Sequence, residues 1–118
     1  GTGALELARS GADVDAVVSF HGGLDTPTPE DAKNIKARVL VCHGAVDPAV
    51  PPAQVAAFQK EMEDANVDYV FVAYSQARHS FTEKAAGNST TGVAAYNENA
   101  DRRSWEHMKT FLAEAFGK

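Results

Sequence analysis

The sequence predicts an α/β fold: one domain over residues 1–118, three-layered, with a small parallel sheet of about three strands flanked by helices. Three observations carry this. Helix-type and strand-type segments alternate along the chain, the order that yields parallel strands joined by right-handed crossovers. Arg38–Cys42 (RVLVC) is a short valine-rich run, as a strand buried on both faces requires. Each strand-like run ends at a His-Gly, Asp-Pro or polar segment that a helix pattern then follows.

Thr2–Ser10 (TGALELARS) has good helix formers, and Gly11 is placed to end the helix in the left-handed conformation. Val14–Phe20 (VDAVVSF) reads as the first strand, closed by the turn His21-Gly22-Gly23. Over Leu24–Ala37, Pro27, Pro29 and Glu30-Asp31 predict a loop followed by at most a short helix. Arg38–Cys42 is the second strand, which His43-Gly44 should break and Asp47-Pro48 with Pro51-Pro52 should stop. Pro52 then opens a helix over Ala53–Ala65, with Val55, Phe58, Met62 and Ala65 on one stripe and Asn66 as its stop. Asp68–Tyr74 (DYVFVAY) alternates like a third strand. Ser75–Ala95 reads as a loop whose tip is Gly87 to Gly92, and Asn97–Phe116 as a last helix. That helix carries an apolar stripe of Trp105, Met108, Leu112 and Ala115, and Gly117 follows as its cap.

Composition narrows the function. The chain has 16 acidic and 11 basic residues, a formal charge of -5 and no basic patch, which excludes a nucleic-acid or polyanion surface. No apolar run approaches the ~20 residues of a membrane span. The single cysteine, Cys42, excludes an internal disulfide and fits a reducing, cytoplasmic location.

If the three strands are parallel they finish at one rim, and His21, His43, Asp47 and His79 all lie just past strand ends there. Asp47 and His79 fit the orienting acid and the base of a nucleophile, acid, histidine relay, in the chain order of α/β-hydrolases. A turn aspartate before proline and a solvated loop histidine fit the same residues. Three imidazoles and a carboxylate also make a legitimate zinc set, but none falls in a short paired motif, so no metal is expected. No serine has the glycine-flanked setting that a strained strand-to-helix elbow demands. Cys42 has Gly44 after it but Leu40 before it, inside a strand, and reads as a small core residue. Phe81 and Trp105 are candidates for a substrate pocket, although Trp105 lies on the helix stripe and reads as core. Gly22-Gly23 leads into Leu24-Asp25-Thr26-Pro27 rather than a helix, so it is not a phosphate cradle.

Arg38–Pro52 (RVLVCHGAVDPAVPP) together with Ala77-Arg78-His79-Ser80-Phe81 resembles the C-terminal half of an α/β-hydrolase of the dienelactone hydrolase family. The likeness continues through Ser19 to Leu24 (SFHGGL), Tyr96-Asn97, Arg103-Ser104-Trp105 and Phe111-Leu112. It implies that Asp47 is the triad acid and His79 the triad histidine, acting without a cofactor on carboxylic esters or lactones through an acyl-enzyme. Gly1 looks like the last glycine of the family's G-x-C-x-G-G elbow, where serine occasionally replaces cysteine. The nucleophile would then lie about three residues before Gly1. The resemblance further implies that the half supplying the elbow, most of the sheet and part of the oxyanion hole is not in this chain, so the isolated chain should be inactive. Val14–Phe20 would become a free strand edge, and a homodimer through it is expected. The alternative is a non-catalytic α/β module serving binding or assembly.

Overall fold

The computed structural model describes residues 1–89 and 91–117; Thr90, within the expected loop tip, and Lys118 lie outside the described residues. The elements are α1 (Thr2–Arg9), β1 (Ala16–Phe20), a 3-10 helix (Pro29–Asn34), β2 (Arg38–Gly44), α2 (Pro52–Asp64), β3 (Tyr69–Tyr74), a 3-10 turn (Lys84–Ala86) and α3 (Glu98–Ala115). The sheet order is β1-β2-β3. Both pairings are parallel, running from Ala16↔Arg38 to Phe20↔Cys42 and from Val39↔Tyr69 to Gly44↔Tyr74. All three strands therefore finish at the same rim, and β2, covered on both sides, is buried almost throughout.

Strand alternation divides the core into two layers. Val17, Val39 and Val41 face α1 and α2, where Leu5, Ala8, Phe58 and Met62 pack on them. Leu40, Cys42 and Tyr74 face the opposite way, onto Phe81, Ala100 and Phe111. Helix ends are where the sequence put them: Gly11 at φ 84 follows α1, and Asn66 at φ 56 follows α2. At the start of α3 the Asn97 side chain accepts a hydrogen bond from the Ala100 N–H.

A buried ion pair ties α1 to α2. Arg9 donates from Nε and Nη2 to the two carboxylate oxygens of Glu61, both at 2.8 Å. It also donates to Glu6 at 2.7 Å and to the Leu24 carbonyl at 3.1 Å. Burial opposes the guanidinium charge, but the bonds to Glu61 and Glu6 outweigh it and hold Arg9 more strongly protonated than usual.

Four expectations need correction. β2 does not break at His43-Gly44, because these residues stay in register with Ala73 and Tyr74. Gly44 is needed at that point for another reason: a Cβ there would lie 2.6 Å from the Ala77 carbonyl and 2.7 Å from that of Arg78. His43 is thus a strand residue, not a rim residue, only 5% exposed with its ring 5.4 Å from Phe71. β1 begins two residues later than expected, since the Val14 N–H turns back to the Ala12 carbonyl. Trp105 is not core but 54% exposed. α3 is rotated so that the small residues Ala100 and Ser104, with Phe111, meet the sheet. Of the two leucines of α1, Leu5 is buried and Leu7 is exposed.

Candidate active site

Asp47 follows directly from the end of β2. Its N–H donates to the Gly44 carbonyl at 3.0 Å, closing a tight turn whose continuation Pro48 forbids. The side chain folds into that turn: Oδ1 accepts from the Ala49 N–H at 2.8 Å. Oδ2 accepts from His79 Nδ1 at 2.9 Å. The Asp47 side chain is fully buried, while that of His79 is 33% exposed. A carboxylate withdrawn from water and satisfied on both oxygens is a fixed acceptor that sets the tautomer and orientation of the imidazole it meets.

His79 arrives from the other direction, on the long connection after β3. That connection is pressed onto β2 where Gly44 lacks a side chain, and the Val46 N–H donates to the Ala77 carbonyl at 3.0 Å. The backbone of His79 is gripped on both sides: its N–H donates to the Val93 carbonyl and its carbonyl accepts from the Ala95 N–H, at 3.2 and 3.1 Å. Arg78 reinforces this from Nη1 to the Gly92 carbonyl at 2.9 Å. Gln76 and Ser80, at φ 63 and 59, supply the sharp turns around it. The structure therefore joins Asp47 and His79, which sequence order paired.

It treats the other two rim candidates differently. His43 faces the α2 side of the sheet, where burial lowers its basicity, with Asp47 opposing, and its Nδ1 has no partner. His21 stands instead beside His79, ring centroids 5.6 Å apart. The sequence placed both at one rim, but their ring contact depends on His21 taking φ 43, a conformation unusual for a residue with a Cβ. Cys42 is sealed in β2 at 0% exposure, and burial pushes its thiol up to about 11 against a contact from Tyr74 that lowers it. Such a thiol is no nucleophile. Phe81 is likewise fully buried, between His21 and Tyr74. Among the described residues, no group of three or more His, Cys, Asp or Glu side chains is gathered as metal ligands.

The amino end of α1 lies against this rim. A Cβ on Gly1 would fall 2.6 Å from Ser19 Oγ and 2.7 Å from both Gly22 Cα and the Phe20 carbonyl. A Cβ on Gly22 would meet the backbone of Gly1 and Thr2 at 2.5 Å. Two glycines are thus required for the start of α1 to touch the end of β1, and the Thr2 hydroxyl fastens the contact by accepting from the Gly23 N–H at 2.9 Å.

Comparison with known proteins places these features. The model described as the dienelactone hydrolase family matches residues 1–116. A Caenorhabditis elegans protein described as uncharacterized is 40% identical over 95% of this chain and 72% of its own. Among solved structures, one titled m3DLH superimposes with a TM-score of 0.89 at 46% identity, over 97% of this chain and 48% of that one. A dienelactone hydrolase-like promiscuous phosphotriesterase from metagenomic libraries gives 0.84 at 40% identity, over 94% of this chain and 46% of that one. The chain spans about half the length of these solved relatives.

Proposed function

The chain belongs to the dienelactone hydrolase family, and on that premise we propose that it supplies the acid and the histidine of an acyl-transfer relay that hydrolyses carboxylic esters or lactones. The observation that carries this reading is the 2.9 Å contact of His79 Nδ1 with a fully buried Asp47. In the relay, Asp47 holds Nδ1–H so that Nε2 is the free base. Nε2 takes the proton of the attacking thiol or hydroxyl as that group forms its bond to the substrate carbonyl, and Asp47 stabilises the resulting imidazolium. The imidazolium returns the proton to the leaving alkoxide as the acyl-enzyme forms. A water then repeats the cycle, Nε2 accepting its proton and passing it to the nucleophile as the acid is released. By the family resemblance the nucleophile would stand on an elbow leading into α1, whose glycine-bound start abuts the same rim. No step calls for a cofactor.

The same reading gives the edge position of β1 a role. By the family resemblance a further strand would pair there in a longer member, and for the chain alone, whose β1 is an edge, we expect two-fold self-association through it, seen as concentration-dependent sedimentation.

The test is ester turnover by the full-length protein. His79→Ala and Asp47→Asn should each reduce kcat by about 10³–10⁴-fold. The isolated chain should hydrolyse an activated ester no faster than its own His79→Ala variant, because a base without nucleophile and oxyanion donors supplies little. Turnover at the wild-type rate in either full-length variant would remove that residue from the relay.

A further inference from the structure

His21 has no part in the relay just described, yet its surroundings single it out. Its N–H still completes the ladder by donating to the Cys42 carbonyl at 2.9 Å, and the chain turns only at its own Cα, at φ 43. The turn is imposed by the next residue, Gly22, whose backbone is pressed onto Gly1 and Thr2. Its result is to throw the imidazole across onto the segment that carries His79. There it meets three of four consecutive residues. It stands edge-on to the His79 ring, with an interplanar angle of 67°, and edge-on to Phe81 with centroids 5.1 Å apart. Its Nε2 shares a 2.8 Å hydrogen bond with Thr82 Oγ1. Backbone departures of this kind concentrate where a side chain must be aimed.

We propose that His21 is a positioning residue for His79: its imidazole braces the segment that presents His79 and, while neutral, leaves His79 free to take up positive charge. The inference rests on the acyl-transfer reading. The charged and titratable side chains around His21 are His79 and Glu83 on the braced segment and Asp101 of α3, which lines the same cleft with Thr82 and Trp105. Burial, then His79, lower the basicity of His21, and Glu83 opposes them. His21 therefore stands neutral at neutral pH. On acidification it gains a charge beside the ring that must itself become an imidazolium, and two like charges at that separation oppose each other. The acid side of the rate profile should thus fall in two separated steps, the lower of which belongs to His21.

The experiment measures kcat and KM for p-nitrophenyl acetate against pH in the full-length protein and in His21→Gln, which keeps a polar group near Thr82 but cannot be protonated. Wild type should show a second, lower step on its acid limb that His21→Gln lacks, with the variant's kcat at pH 8 reduced about tenfold and its KM within about twofold. A single step in both would overturn the charge coupling. Thr82→Val deletes the hydrogen bond while leaving both rings, and should lower kcat about threefold with the second step retained. A Thr82→Val enzyme with wild-type kcat would overturn the bracing. Independently of turnover, the ¹⁵N titration of the His21 ring should move to higher pH in His79→Gln, and an unmoved titration would also refute the coupling. Loss of turnover in His79→Ala with an unaltered acid limb in His21→Gln would sink this inference alone, whereas full turnover in His79→Ala would sink the relay on which it rests.

Discussion

Among the described residues, two carboxylates are buried with a basic partner, and they are built differently. Glu61 meets Arg9 with both side chains 3% exposed. Both of its oxygens go to one guanidinium, which also donates to Glu6 and to the Leu24 carbonyl. Asp47 meets His79, where the carboxylate is as deeply buried but the base is one-third exposed and is bonded to it through one nitrogen. Arg9 stays charged under all ordinary conditions, whereas an imidazole changes charge near neutral pH. A pair saturated on both sides has no valence left for chemistry. A pair saturated on the acid alone presents a held base to whatever reaches it.

Exchanging perturbations between the two pairs gives the largest contrast. Asp47→Asn should depress kcat of the full-length protein by about 10³–10⁴-fold, since an amide forces the wrong tautomer on His79. It should leave circular dichroism and the unfolding midpoint nearly unchanged. Glu61→Ala should do the reverse, destabilising the fold by about 3–5 kcal/mol in urea titration because Arg9 is left charged and buried without its partner. An Asp47→Asn protein that unfolds, or a Glu61→Ala protein of native stability, would break the distinction.

A smaller effect sharpens it by separating acid from base. Gly44→Ala pushes a methyl toward the Ala77 and Arg78 carbonyls, and overpacking of this kind costs about 2 kcal/mol. Because those carbonyls belong to the approach to His79, the imidazole should shift while Asp47 keeps its turn, which a crystal structure of the variant would reveal as a lengthened Asp47–His79 contact. The smallest effect concerns His43, buried beside the acid with Nδ1 unpartnered. Its folded basicity lies below the ordinary value of 6.5, so the unfolded chain binds the proton more readily. Its contribution to stability is complete above that value and is lost as pH falls from there through the folded value. His43→Leu should remove this dependence and, by deleting an unsatisfied buried nitrogen, gain about 1 kcal/mol. Denaturation midpoints at pH 7.5, 6.5 and 5.5 would read both.

Much of this was legible in the sequence because it is local. Valine runs and helical stripes announce the elements, Gly11 and Asn66 announce the ends, and the order of Asp47 before His79 announces the pair. What escaped depends on contacts between distant segments. Gly44 looks like a strand breaker, but the ladder to β3 carries the strand through it, and its missing side chain serves the crossing of Ala77 and Arg78. Trp105 has far more apolar surface to bury than Ala100 or Ser104. Yet α3 lies against the sheet through those two small residues, and the indole turns outward. The approach of His21 to His79 needs a backbone angle that no residue pattern encodes, although the two glycines that follow it were a signal of a tight turn.

Cys42 has a use of its own. It is the sole thiol of the chain, sits in the middle strand of the sheet and is sealed from water at 0% exposure. A thiol reagent can reach it only when β2 comes apart from its neighbours, and its reluctance to ionise makes labelling slow even then. When reclosing outpaces labelling, the observed rate measures the equilibrium fraction of opened molecules. The chain therefore carries a native clock for its own breathing, readable by mass spectrometry without introducing any probe.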